Sequence, residues 1–511
     1  MEGSLHKLSN ALLNCLPSGI TGPTYDRSAI TPGIVHIGLG NFHRAHQAWY
    51  LHRLMQRGMA MDWGIIGAGV RPGDEAQRQR LAAQDHLTTL IELDPKGHSA
   101  EIIGSMIGFV PVEKDNAALI AQMADPAIRI VSLTVTEGGY YMDPATKAFH
   151  ADHPDMRHDG ASPDKPITAF GAMIAALARR RKAGHGPLTC QSCDNLQGNG
   201  DILRQTLVCL ARLSDPDLAD WIDVNCAFPN AMVDCIVPAT GEKELALARA
   251  FGLPDAAPVT HENFRQWVIE DRFCTGRPPW EAVGVTITND VHAYEAMKLR
   301  LLNGGHQLIA DAGEILGVET ISGCMEHPLI GDYLRKVARN EIAPHVAPVP
   351  GMTPLAYLDL IDARFSNPEI VDTVRRVAFD GSSRQTGFVL PSLRDGLAVG
   401  TTVEGLALSQ ALWARMCEGT REDGATIEPN DPIWNQLTEA AKAAKSNPQA
   451  WLDQRDLYGD LADNAAFQKS FTRWLFMIWA EGADSAIRQY LGNKDHSGSS
   501  SADLIGKSPA A

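Results

Sequence analysis

The chain has no run approaching the ~20 consecutive apolar residues that span a bilayer. Its start, MEGSLHKLSNALLNCLPSG, lacks the basic region and apolar stretch of a secretion signal, so the cytoplasm is the expected compartment. Positive charge is in short supply. The 45 Lys+Arg against 61 Asp+Glu leave −16, and such a surface repels phosphate backbones and anionic headgroups, which argues against nucleic acid or membrane as a partner. Nine cysteines, at 15, 190, 193, 209, 226, 235, 274, 324 and 417, are odd in number and scattered, unlike the dense even sets of disulfide scaffolds. Free thiols are expected. The one C-x-x-C, Cys190 to Cys193, has no second pair or histidine at zinc-finger spacing and reads as two core thiols. No internal repeat is present.

What is there is ordinary: 44% hydrophobic and 21% charged residues describe a folded globular protein. The length of 511 residues, set against about 150 for one domain, predicts two large domains. After a leader rich in Pro, Gly and Thr (17–33), Ile34–Ile37 reads as a buried strand broken by Gly38 and Gly40, and a helical pattern covers Arg44–Arg57. A strand at Trp63–Val70 and a helix at Asp74–Gln84 complete a βαβ opening. Apolar runs at 128–136, 188–193, 224–228 and 283–288 alternate with helical patterns, as a parallel doubly wound sheet requires. The predicted architecture is an α/β domain over 1–287, a mostly helical domain over 288–495, and a Ser/Gly/Pro-rich tail over 496–511. Helices are expected in the second domain at 291–317, 329–340, 354–362, 368–379, 402–417, 436–447 and 464–491.

Gly38 and Gly40 lie where a dinucleotide-binding fold puts its phosphate turn. The first glycine permits the tight turn and the second lets a pyrophosphate approach a helix N-terminus. His43 occupies the place of the third glycine of G-x-G-x-x-G, so the fingerprint is incomplete. After the second strand, Asp74 or Glu75 offers a carboxylate for ribose hydroxyls, which favours NAD, while Arg71 would tolerate the 2′-phosphate of NADP.

The segment VHAYEAMKLRLLNGGHQLI, with Asp290 as its N-cap, gathers Glu295, Lys298, Asn303 and His306. At 100° per residue all four share one side of the helix, beside Leu299, Leu302 and Ile309, which can bury. A solvated face with one Glu–Lys pair would read the same way. Gly304–Gly305 costs roughly 2 kcal/mol of helix stability relative to alanines, which calls for a bend or a close approach by another group.

The string KLRLLNGGH, with GLGNFHRAHQ, TVTEGGY (134–140), SCDN (192–195), FPNAMVD (228–234) and FDGSSRQ (379–385), resembles the polyol-specific long-chain dehydrogenase family. That family includes mannitol 2-dehydrogenase, arabinitol dehydrogenases and the hexuronate reductases, and the six motifs occur in order over roughly residues 30 to 490. The resemblance implies a Rossmann-like N-terminal domain and a zinc-independent, NAD(P)-dependent enzyme that interconverts a secondary alcohol of a linear polyol with a ketose. It implies Lys298 as the catalytic base, Asn195 and Asn303 as holders of the substrate oxygen, His306 as a positioning group and Glu295 in proton passage to solvent. Gly38, Gly40, Phe42 and Asp74 are implied at the cofactor, and Asp234, Arg376 and Arg384 along the polyol. No metal ligand is implied.

Chemistry is compatible with these roles. Hydride leaves a carbinol carbon only as its hydroxyl loses a proton, so the site needs a neutral base within about 3 Å of that oxygen and donors aimed at the alkoxide. A lysine serves if its ordinary pKa of ~10.4 falls by roughly 2 to 3 units through desolvation and the positive nicotinamide ring. Glu295 opposes that fall and is therefore expected on the wet side of a site lying between the two domains. No His/Cys set at metal-ligand spacing stands beside these residues. Two departures bear on the substrate: Arg384 stands where some members carry Lys, and Phe379 where the mannitol enzyme's pattern has a His. Arg376 could instead grip a sugar-acid carboxylate with two prongs, as a hexuronate reductase would need. A Schiff-base lyase using the same lysine and a nucleotide-sensing module without turnover are the readings from other classes. The oligomeric state, monomer or small homo-oligomer, is left open by the sequence.

Overall fold

The computed structural model describes residues 7–143 and 148–492, so the expected tail over 496–511 lies outside the described residues. The chain divides into two compact units between Glu295 and Ala296. Eleven strands occur among the described residues, all in the first unit: β1 (Pro32–Ile37), β2 (Gly64–Ala68), β3 (Thr88–Leu93), β4 (Ser99–Ile103), β5 (Met106–Phe109), β6 (Ile130–Leu133), β7 (Thr189–Ser192), β8 (Ala231–Asp234), β9 (Val259–Glu262), β10 (Gln266–Glu270) and β11 (Thr286–Thr288).

Five of them form a parallel sheet in the order β5-β2-β1-β6-β7, with β1 at the centre pairing Ile34–Ile37 against Ile130–Leu133 of β6. The order reverses direction at β1, which makes the carboxyl ends of β1 and β6 the switch point where such folds bind ligands. The sheet is covered on both faces, so β1 is apolar in both directions: Val35 and Ile37 pack with Phe170, Met173, Leu177, Leu203 and Leu207, and Ile34 packs with Leu51, Leu54 and Trp267. This is the Rossmann-like unit.

Two further sheets, β11-β10-β8 and β4-β3-β9, each of three strands and mixed in direction, belong to the same unit, so the later runs do not all extend the parallel sheet. The expected strand at 224–228 is corrected. Pro216–Asn225 is a helix, capped by Asp215 on the Leu218 N–H (2.9 Å), and Val224 is its exposed end; only Ala227 makes a single bridge to Thr189. The helix expected over Arg44–Arg57 is broken at His46, whose Nε2 reaches the Gln266 carbonyl at 3.0 Å.

The second unit is helical. Its centre is Gly304–Leu316, buried from Gly304 through Ile315, which packs against Glu404–Cys417, Ile330–Val337 and Val374–Ala378. Between Lys298 and Asn303 the helix widens to π geometry, a form that recurs at functional sites. The close approach expected at Gly304 is present: a Cβ there would lie 3.2 Å from the Phe388 carbonyl oxygen. The helix expected over 368–379 shrinks to Val374–Ala378, because Thr373 caps it at the Arg376 N–H (3.2 Å) and itself bridges to Thr320. Gly482 splits the expected 464–491 helix into Ala465–Glu481 and Ala483–Leu491.

Candidate active site

In the first unit the expected residues fall at the carboxyl ends of strands. Gly38 follows β1 with φ +90°, its N–H donating to Ala68 at 3.0 Å, and a Cβ on it would lie 2.8 Å from the Thr134 carbonyl carbon. No side chain fits there. A Cβ on Gly40 would meet only the Gly38 oxygen, at 3.9 Å, so the turn is open on that side. Phe42 stacks on His46 with centroids 4.8 Å apart. His43, in the third-glycine position, lies flat on His36 with centroids 3.4 Å apart, so close helix–strand packing is met by two stacked rings. Burial keeps both uncharged, pushing His36 down to about 3 and His43 well below the ordinary histidine value. Arg44, also buried, ties the turn together through the Gly40 and Ala257 carbonyls and Asn41 Oδ1 (2.7 Å).

Of the two carboxylates after β2, Glu75 is committed to Arg78 through bonds of 2.8 and 2.7 Å. Asp74 Oδ2 accepts the Val70 and Arg71 N–H groups at 3.0 and 2.9 Å, closing the turn that carries it and leaving Oδ1 without a partner among the described residues.

The motifs after β6 and β7 are one assembly. Asp194 accepts the Val135 N–H (3.0 Å), the Thr136 N–H (2.9 Å) and the Tyr140 hydroxyl (2.7 Å), holding Thr136 at φ +69°. Charge-assisted bonds of this kind offset backbone strain of order 1–3 kcal/mol. Asn195 is the exposed residue that follows. Asp234 ends β8 and is buried. Glu295 is 4% exposed: it accepts the Gly198 N–H at 3.0 Å and His292 Nδ1 at 2.8 Å. The expectation that it would sit wet is corrected, since its partner His292, with a side chain 53% exposed, meets solvent instead. That contact raises the His292 pKa above the ordinary histidine value.

In the second unit Lys298 is 7% exposed at the start of the π segment, so the straight-helix angles expected for the four residues do not apply. Asn303 and His306 follow on the same helix, and Asn303 Oδ1 and His306 Nε2 are buried with no partner among the described residues. His306 stacks on Phe365 with centroids 4.1 Å apart, and burial holds it down to about 3, hence neutral. Asp372, Arg376, Arg364 and Arg384 all act on its ring electrostatically. Arg376 forks onto Asp372, Nε to Oδ1 at 2.7 Å and Nη2 to Oδ2 at 2.6 Å. The Nε–Nη2 edge of that guanidinium is thus already held by Asp372. Arg384 Nη1 donates to the Val377 carbonyl at 2.7 Å, and Phe379 is exposed.

Residues 32–282 match the family described as Mannitol dehydrogenase Rossmann domain, and residues 290–479 match Mannitol dehydrogenase C-terminal domain. A mannitol 2-dehydrogenase of Cereibacter sphaeroides is 56% identical over 92% of this chain and 99% of its own length. The chain belongs to the mannitol dehydrogenase family. Another relative, the mannitol 2-dehydrogenase of Aspergillus clavatus, is 41% identical over 92% of this chain and 95% of its own. Among solved structures, the Pseudomonas fluorescens mannitol 2-dehydrogenase ternary complex with NAD and D-mannitol superposes with a TM-score of 0.85 at 39% identity, covering 96% of this chain and all (100%) of that one. A substrate-free D-sorbitol dehydrogenase gives 0.87 at 33% identity, covering 94% and 100%.

Sequence reasoning passed over three residues that hold expected ones in place. Asp194 was legible only as a letter of the SCDN motif; the Asp372–Arg376 pair and the His292–Glu295 pair carried a signal in their i,i+4 and i,i+3 spacing. No group of three or more His, Cys, Asp or Glu side chains that could hold a metal ion occurs among the described residues.

Proposed function

We propose that this chain is an NAD-dependent polyol dehydrogenase interconverting a secondary alcohol of a linear polyol, mannitol or a near relative, with its ketose. One observation carries the reading: on the helix that presents buried Lys298, Asn303 Oδ1 and His306 Nε2 are polar atoms withdrawn from water with no partner among the described residues. Buried polar atoms cost free energy unless a partner satisfies them, and a hydroxylated substrate is such a partner. The mannitol 2-dehydrogenase names of the relatives, and the NAD and D-mannitol of the superposed complex, support the cofactor and substrate class.

Bound NAD supplies the hydride acceptor. The fit for it rests on the cradle at Gly38, which a Cβ would fill, the open side of Gly40, and Asp74 Oδ1 for the ribose. Lys298, as the uncharged amine, takes the hydroxyl proton. Asn195 and Asn303 hold the substrate oxygen as its charge develops, each contact of this kind contributing ~3 to 4 kcal/mol to the transition state. His306, neutral and held flat by Phe365, orients a hydroxyl through Nε2. Glu295 and half-exposed His292 offer the proton a way to water. Asp234, Arg376 and Arg384 line the rest of the polyol. None of these roles calls for a metal ion.

The hexuronate alternative asks Arg376 to grip a sugar carboxylate, and the Nε–Nη2 edge of its guanidinium with its charge is already matched to Asp372, which favours a neutral polyol. The test is a panel of D-mannitol, D-arabinitol, D-sorbitol, fructose and hexuronates, each with NAD(H) and NADP(H). Polyol oxidation with NAD exceeding every sugar-acid reaction is expected; faster ketose-acid reduction would transfer the assignment to the hexuronate reductases.

A further inference from the structure

A chain of hydrogen bonds crosses the helical unit away from the reacting groups. Trp451 Nε1 donates to the Tyr458 hydroxyl (2.6 Å), which donates to Gln410 Oε1 (2.9 Å). Gln410 Nε2 donates to Gln385 Oε1 (2.8 Å), and Gln385 Nε2 donates to Asp311 Oδ2 (2.8 Å). All five residues are buried. The chain ends on the helix that carries His306, and Gln385 is the residue after Arg384. A second tie runs alongside: the Val377 carbonyl accepts both Arg384 Nη1 (2.7 Å) and Nε2 of Gln307, the neighbour of His306 (3.1 Å).

We propose that Gln385 and Asp311 are positioning residues, their hydrogen bond fixing the segment that bears Arg384 against the helix that bears His306 and so setting the affinity for polyol. The inference rests on the reading of His306 and Arg384 as polyol-binding residues. Asp311 works here as a neutral carboxyl. Its partner is an uncharged amide, and burial together with the charge of Glu314 pushes its pKa well up. The ionisable groups facing it are Glu314 on its own helix, whose charge is met by Arg421 at 2.9 Å, and Tyr333, Cys417 and Tyr458 from the neighbouring helices, all raised by burial and therefore neutral.

The protonated acid makes a specific demand on substitutions. Gln385→Ala removes the tie; Gln385→Glu keeps the shape, still accepts from Gln410, and can accept the Asp311 proton in place of donating to it. With full-length enzyme, NAD and D-mannitol, Gln385→Ala is expected to raise the mannitol KM about tenfold, the worth of one hydrogen bond, with the NAD KM and kcat little changed. Gln385→Glu is expected to restore the mannitol KM to within about threefold of wild type at pH 7 on the same basis, and to lose it again at alkaline pH as the shared proton leaves. Equal rises in the KM for NAD and mannitol, no change in either, or Gln385→Glu as impaired at pH 7 as the alanine variant would each overturn the inference. If Gln385→Ala does not fold, the Gln385→Glu pH profile decides alone. A wild-type enzyme that turns over no polyol overturns the underlying reading, and the inference with it; an active wild type with unmoved variants overturns the inference alone.

Discussion

A methyl group at position 38 would stand 2.8 Å from the Thr134 carbonyl carbon, on a residue whose φ of +90° already excludes most side chains. The two penalties act together. Overpacking costs typically 1–3 kcal/mol and an alanine at positive φ adds about 1 more, and relief can come only by moving the turn away from β6. Gly38→Ala is therefore expected to lower the melting temperature and weaken NAD binding at least tenfold, roughly the 1.4 kcal/mol that a modest displacement of the turn would forfeit. Calorimetry and a fluorescence titration with NADH check both, and an alanine variant binding NADH as wild type does would remove the turn from the cofactor site. His43 teaches the complementary lesson. The position looked like a defect in the fingerprint, yet its ring lies on His36 at 3.4 Å, so contact across helix and strand is kept by flat stacking.

Local pattern exposed the elements it could, and failed where tertiary partners decide. β1, β2 and β6 were legible because inner parallel strands are apolar on both faces and end in glycine or polar turns. β3, β4, β8, β9 and β10 belong to small mixed sheets whose pairing is with distant segments, as β3 with β9, and short runs of this kind carry no distinctive period. The π segment at Lys298–Asn303 was invisible to angle arithmetic, since a 100° step presumes the geometry it sets out to test. The glycine pair after it did announce a neighbour, and Phe388 is that neighbour. Site residues followed the same division. The candidates Lys298, Asn303 and His306 came from one string, whereas the commitment of Arg376 to Asp372 and of Glu295 to Gly198 and His292 appeared only with the folded chain.

At the scale of the whole molecule, burial of imidazoles links stability to pH. His36, His52, His261 and His306 are each pushed down to about 3 by burial, so the folded chain cannot take up protons that the unfolded chain binds near 6.5. The contribution is neutral above about 6.5 and becomes destabilising as pH falls from there toward 3, because the unfolded state then binds more protons. Thermal unfolding between pH 7 and 5, above the range in which carboxylates dominate, is expected to show a midpoint that drops steadily; a level midpoint would contradict the neutral assignment of these rings. In the proposed reaction the amine of Lys298 takes the substrate proton, and kcat for D-mannitol oxidation in Lys298→Ala, measured alongside NADH binding to the same variant, tests that role. Turnover reduced at least about a thousandfold with cofactor affinity nearly intact is expected; a variant that oxidises mannitol at the wild-type rate would exclude Lys298 as the base.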